Sequence, residues 1–157
     1  MASKADFRLQ QYGITLLRVT LGTVFVAHGA QKLFTFGLAG TAGFMGQLGL
    51  PFPTLSAGLA IGAELLGGLA LVVGLLTRVA TLPLAATMLV AILAVHLPSG
   101  FFLPQGFEYA LTLLGGSVAL ALAGPGALAL DNVVWRSRPA TSVVALLRRD
   151  KPARAAA

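Results

Sequence analysis

The sequence predicts an all-α integral membrane protein: a bundle of four transmembrane helices with the N- and C-termini in the cytoplasm. Three observations predict it. Hydrophobic residues make up 57% of the 157-residue chain and charged residues only 10%, whereas a soluble domain carries about 25% charged residues to clothe its core. Four apolar runs each come close to the roughly 20 residues that cross a bilayer as a helix. Basic residues sit at the two ends and in one turn, as the positive-inside bias requires.

The runs are ITLLRVTLGTVFVAHGAQKLF (14–34), TLSAGLAIGAELLGGLALVVGLL (54–76), VATLPLAATMLVAILAVHL (79–97) and FEYALTLLGGSVALALA (107–123). Backbone polar groups in lipid must be satisfied within the segment, which selects helices; the alternating pattern of a membrane barrel is missing. Residues 1–13 are a short cytoplasmic lead, 14–131 the four-span domain and 132–157 a basic cytoplasmic tail. The start resembles a signal peptide, but its apolar stretch is long and ends in HGAQK rather than at a small-residue cleavage site, so it reads as a retained first span.

A net charge of +6 and a pI near 10.9 would suggest nucleic acid for a soluble protein. Placement argues against that. Lys4, Arg8 and Arg18 precede or open the first span, Arg78 lies between the second and third, and Arg136, Arg138, Arg148, Arg149, Lys151 and Arg154 follow the fourth. The connections 35–53 and 98–106 carry no charge. Arg18 and Arg78 therefore read as inner-leaflet anchors, and the tail as a contact for anionic headgroups. With no cysteine, thiolate metal sites, disulfide exchange and Cys-ligated iron–sulfur clusters are excluded.

Between the spans, the 35–53 connection reads as a long external loop, with Thr41 capping a short helix AGFMGQL that ends at Gly49-Leu50-Pro51. Leu76-Thr77-Arg78 is a tight turn, and Pro83 sits in the first turns of the third span. Pro98-Ser99-Gly100 and Gly124-Pro125-Gly126 end the third and fourth spans, and Val143–Leu147 could form a weak amphipathic turn. GLAIG (58–62) supplies a GxxxG pattern for close helix packing.

This topology sets five ionisable groups in the external half: His28, Lys32, Glu64, His96 and Glu108. His28 and Lys32 are an i, i+4 pair with Gln31 adjoining. Glu64 falls about ten residues, roughly 15 Å, below the external face. A carboxyl at that depth costs on the order of 2.5–3.5 kcal/mol, so it is protonated, paired with Lys32 or His28, or functional. Lys32 as a snorkelling side chain, and His96 and Glu108 as interfacial caps, are the plainer alternatives. Mixed His/Glu ligands could hold a metal, but none shares a helix at ligand spacing and Lys32 would repel a cation. A haem between His28 and His96 is geometrically allowed, with nothing to select it.

The stretches LLRVTLGTVFVAHGAQKLF, GFMGQLGLPFP, GAELLGGLALVVGLLTRVA, AVHLPSGFF and GFEYALTLLGGSVALALAGPGALALD resemble the DoxX family of small four-helix bacterial membrane proteins. The ordered set HGxxK, GxExxGG, GLLTR, GFEY and GPGxxxxD carries the resemblance across residues 14–131. The resemblance implies a bacterial inner-membrane component of a redox system. DoxD relatives form part of a thiosulfate:quinone oxidoreductase, and a mycobacterial relative associates with superoxide dismutase and a sulfurtransferase. Without a redox-active side chain here, electrons would need a quinone, a cofactor or a partner subunit. On this reading Glu64 and His28 handle the proton, and Lys32, Gln31, His96 and Glu108 bind a quinone carbonyl or an anionic substrate. Redox partner proteins or a homo-oligomer would complete the assembly. A non-enzymatic scaffold and a small-solute carrier are the rival expectations.

Overall fold

The computed structural model describes residues 3–135 and is all-helical over them. Helix α1 (Lys4–Ala30) opens on a capping box, in which the Ser3 hydroxyl accepts from the Asp6 amide and Asp6 accepts from the Ser3 amide. It runs without a break into a π turn, Gln31–Phe36. Helices α3 (Pro53–Gly62) and α4 (Gly68–Val73) form one rod, joined by the π turn Ala63–Gly67. Helix α5 (Thr77–Ala91) passes through a third π turn, Ile92–His96, into a 3₁₀ turn at Leu97–Ser99. Helix α6 (Glu108–Ala123) is the last long element, and α7 (Asp131–Val134) is a single turn. Three rods are long and apolar enough to cross a membrane. At 16 residues, α6 spans only about 24 Å, and a bilayer accommodates such a short helix by local thinning.

The connection 35–53 holds the expected helix with its end before Gly49, but not the loop ahead of it: the first helix continues to Phe36, turns at Gly37 (φ +68°), and resumes as α2 (Gly37–Gln47), which packs on α3. Thr41 does not cap a helix. It is buried inside α2, and its hydroxyl donates to the Lys32 carbonyl at 3.2 Å. With no charge in this stretch, nothing stopped the helix except the glycine able to adopt a positive φ.

Where helices cross, glycines decide the distance. A Cβ on Gly68 would lie 2.8 Å from the Val26 amide nitrogen and 2.9 Å from the Gly22 carbonyl oxygen. One on Gly29 would meet the Leu65 amide nitrogen at 2.9 Å. So α1 and the α3–α4 rod pack backbone to backbone, as small residues allow in membranes. The GLAIG pattern takes no part: Gly58 and Gly62 face open space. Around this seam Leu21, Phe25, Leu71, Leu84, Met88, Ile92, Leu113 and Leu120 form the core.

The end of the bundle where α1 begins and α6 finishes is pinned by two charges bound to backbone. Arg18 is 1% exposed rather than a headgroup anchor. Its guanidinium donates to the carbonyls of Leu71, Val72 and Leu128, thereby satisfying the last carbonyls of α4. Gly74 leaves the room this requires, since a Cβ there would fall on the guanidinium. Asp131 accepts from the amides of Leu76 (2.7 Å) and Thr77 (2.9 Å), holding Leu76 at φ +49° and capping α5. Arg78 is exposed, as an anchor would be. The chain past α6 returns to α1, where Ala127 donates to the Gln11 carbonyl. The expected turn at Val143–Leu147 and the basic tail from Arg136 onward lie outside the described residues.

Candidate functional site

At the opposite end Lys32 and Glu64 meet. The ammonium of Lys32 donates to both carboxylate oxygens, at 2.9 Å to Oε1 and 2.7 Å to Oε2. The Glu64 side chain is 1% exposed and that of Lys32 is 26% exposed. An unpaired carboxylate in this position would be expensive, whereas one carrying two charge-assisted hydrogen bonds is tolerated. Gly29 makes the pairing possible, because its missing side chain lets the Glu64 backbone approach: a Cβ on Gly29 would stand 3.0 Å from Glu64 Cβ.

Both partners stand in π turns, Lys32 in Gln31–Phe36 and Glu64 in Ala63–Gly67. His96 closes the third, Ile92–His96. Such i→i+5 turns are rare and concentrate at functional sites. Here each of three successive rods widens where it carries an ionisable group.

The other expected site residues separate into two groups. His28 is half-buried, one turn from Lys32 on the same helix, and its ring lies 6.0 Å from that of Tyr109 at an interplanar angle of 49°. Gln31 is exposed. His96 and Glu108 have partners of their own in the 100–107 loop. His96 Nδ1 is 2.8 Å from the Gln105 carbonyl, and Glu108 accepts from the Leu103 amide at 2.8 Å. No hydrogen bond joins either of them to Lys32 or Glu64. Five groups were expected to converge; a two-residue ion pair with a flanking histidine is what the fold assembles directly. Among the described residues no group of three His, Asp or Glu side chains is placed to hold a metal.

Sequence reasoning missed Tyr109 and the π turns. Tyr109 was on view in GFEY, where only the acid was read. The π turns leave no local signal, because an inserted residue in an apolar helix changes neither hydropathy nor propensity.

Comparison with known proteins agrees with this architecture. The DoxX family model matches residues 13–97. The chain belongs to the DoxX family. It is 37% identical over 128 residues to a Bacillus subtilis (strain 168) protein named "Putative oxidoreductase CatD", a match covering 82% of this chain and 91% of that one. It is 33% identical over 132 residues to "Inner membrane protein YqjF" of Escherichia coli (strain K12), covering 81% and 95% respectively. No solved structure matches. With its apolar helices, this DoxX-family chain is a multi-pass inner-membrane protein.

Proposed function

We propose that this DoxX-family protein is a quinone-linked redox component of the inner membrane, or the membrane anchor of one, with the Lys32–Glu64 pair as its working site and His28 beside it. One observation carries the reading. A buried carboxylate is neutralised by an ammonium that is itself still a quarter exposed, so a membrane-phase ligand can approach the cation side without the acid being unmasked. Lys32 has three N–H donors and gives two to Glu64, which leaves one for a ligand carbonyl. Reducing a quinone to quinol takes two electrons and two protons. The electrons would come from a partner or bound cofactor, since the chain has no cysteine, and on this reading Glu64 and His28 pass the protons. The name of the Bacillus subtilis relative is in line with this chemistry.

The test is quinol-linked turnover in proteoliposomes holding the chain and its electron-transfer partner. Glu64→Gln is expected to lower turnover at least tenfold at unchanged protein level. Full turnover in that variant would end the proposal.

A scaffold role is the second reading, favoured by the backbone contacts at Gly22, Gly29 and Gly68, which the ion pair could serve merely to lock. It expects Glu64→Gln to reduce protein level or melting temperature, with no small molecule retained on purification.

A further inference from the structure

The pair's own charge balance and the side chains next to it narrow what can bind. Lys32 and Glu64 cancel within 2.9 Å of each other; the His28 imidazole stands one helical turn from Lys32, and the Tyr109 ring lies 6.0 Å from that imidazole. An anion seeking Lys32 would face the Glu64 carboxylate behind it, and a cation seeking Glu64 would have to displace the ammonium. Either charge is therefore penalised in a medium that solvates ions poorly. An uncharged ligand with an oxygen acceptor incurs neither penalty and can use the third N–H of Lys32, one helical turn from the His28–Tyr109 pair of rings.

Those rings are the second observation. At about 100° per residue, Gly29 of α1 points at the α3–α4 rod and His28 points at α6, with Lys32 leaving the helix between the two directions. The His28 and Tyr109 rings lie 6.0 Å apart, and among the described residues neither the imidazole nitrogens nor the Tyr109 hydroxyl has a hydrogen-bond partner. Polar groups inside a membrane bundle ordinarily find one. Tyr109 is 40% exposed on the flank of the bundle. Tyr109 thus presents an exposed aromatic face to an apolar ring, and its partner His28 stands one helical turn from Lys32.

We infer that the site takes an uncharged, lipid-soluble ring bearing a carbonyl or hydroxyl oxygen, that it discriminates against anionic substrates, and that Tyr109 is an unassigned ring-binding residue of it. This rests on the quinone reading above and sharpens it. Inorganic oxyanions of sulfur are thereby excluded as ligands of this pair, against the anionic alternative that the sequence left open.

The test uses the full chain in phosphatidylcholine nanodiscs, with 1,4-naphthoquinone and its 2-sulfonate as neutral and anionic probes, titrated by calorimetry against empty discs. Wild type is expected to bind the neutral ring at least tenfold more tightly than the sulfonate. Tyr109→Ala is expected to weaken the neutral ring about tenfold and Tyr109→Phe less than threefold, because the phenylalanine keeps the ring face. Glu64→Gln, which uncovers the Lys32 charge, is expected to tighten sulfonate binding. If that variant does not fold, the wild-type ratio and the Tyr109 variants still decide. Sulfonate binding equal to or tighter than the neutral ring in wild type overturns the charge argument. Unchanged affinity in Tyr109→Ala, with binding lost in Lys32→Met, overturns the ring contact and leaves the quinone reading standing. No binding of either probe to wild type removes both.

Discussion

Replacing Lys32 should hurt the protein more than replacing Glu64, although each change breaks the same two hydrogen bonds. Lys32→Met strands a carboxylate that is 1% exposed; removing one partner of a buried pair costs about 3–5 kcal/mol. Glu64→Gln leaves an ammonium that is 26% exposed. It can swing toward headgroups and still donate to the new amide oxygen, so the cost falls to about 1–1.5 kcal/mol, the value of an ordinary hydrogen bond. The double variant leaves neither charge and should lie nearer Glu64→Gln than Lys32→Met, giving a coupling of at least ~1.5 kcal/mol. For a chain of this length 1 kcal/mol shifts Tm by about 2–4 °C. Lys32→Met should therefore melt roughly 6–20 °C below wild type and Glu64→Gln only about 2–6 °C below. Circular dichroism melts of the four proteins in one detergent give the numbers. Equal losses in the two single variants, or a double variant whose loss is their sum, would refute the claim that burial is divided unequally across the pair.

Three further outcomes follow from the packing. Gly68→Ala drives a methyl group against the Val26 amide and the Gly22 carbonyl and should cost about 1–3 kcal/mol by overpacking, while Gly58→Ala, facing open space, should change stability by no more than about 0.5 kcal/mol; paired melts compare them. Asp131→Ala frees the Leu76 and Thr77 amides and should cost about 1–3 kcal/mol, with hydrogen exchange at those two amides rising while Glu64→Gln leaves them protected. The chain has no native cysteine, so single cysteines report topology cleanly: a membrane-impermeant maleimide on intact cells should label Ser99→Cys, whereas Gln10→Cys should need permeabilised cells, and the reverse pattern would overturn the orientation expected from the positive-inside bias.

How much of this was legible beforehand depended on whether the deciding force acts along the chain or between segments. Hydropathy, charge placement and Pro/Gly breakers act along it; the first two located the rods, and the breakers the turns at Gly100 and Gly124, both of which adopt positive φ. They also brought Lys32 and Glu64 to one end, because alternating spans convert position in sequence into depth. Contacts between segments were less readable. Arg18 looked like an anchor because a basic residue near a span end usually is one; its true partners, Leu71, Val72 and Leu128, are carbonyls, which have no signature in a sequence. The GxxxG pattern at 58–62 was legible and misleading, while the glycines that do set helix spacing are split between two helices, Gly22 and Gly29 on α1 and Gly68 on α4, and form no such pattern. His96 and Glu108 were placed at the correct end, yet the short loop between them supplies partners within nine residues, which local hydrogen bonding makes easy to satisfy.

The two ends of the bundle hold their charges in different ways, and the difference bears on which end can work. Arg18 and Asp131 bind backbone groups of α4, α5 and the 127–130 segment. Releasing them would unmake helix ends, so these charges can change partners only by unfolding part of the protein. Lys32 and Glu64 bind only each other through side chains. Both sit in π turns, which are frequent at functional sites, and Lys32 lies one helical turn from the His28 imidazole, which has no hydrogen-bond partner among the described residues. A side-chain pair of this kind can admit a third partner while every backbone bond stays in place. On the proposed function, stability and ligand exchange fall to opposite ends, with the substrate at the end built from exchangeable side-chain contacts.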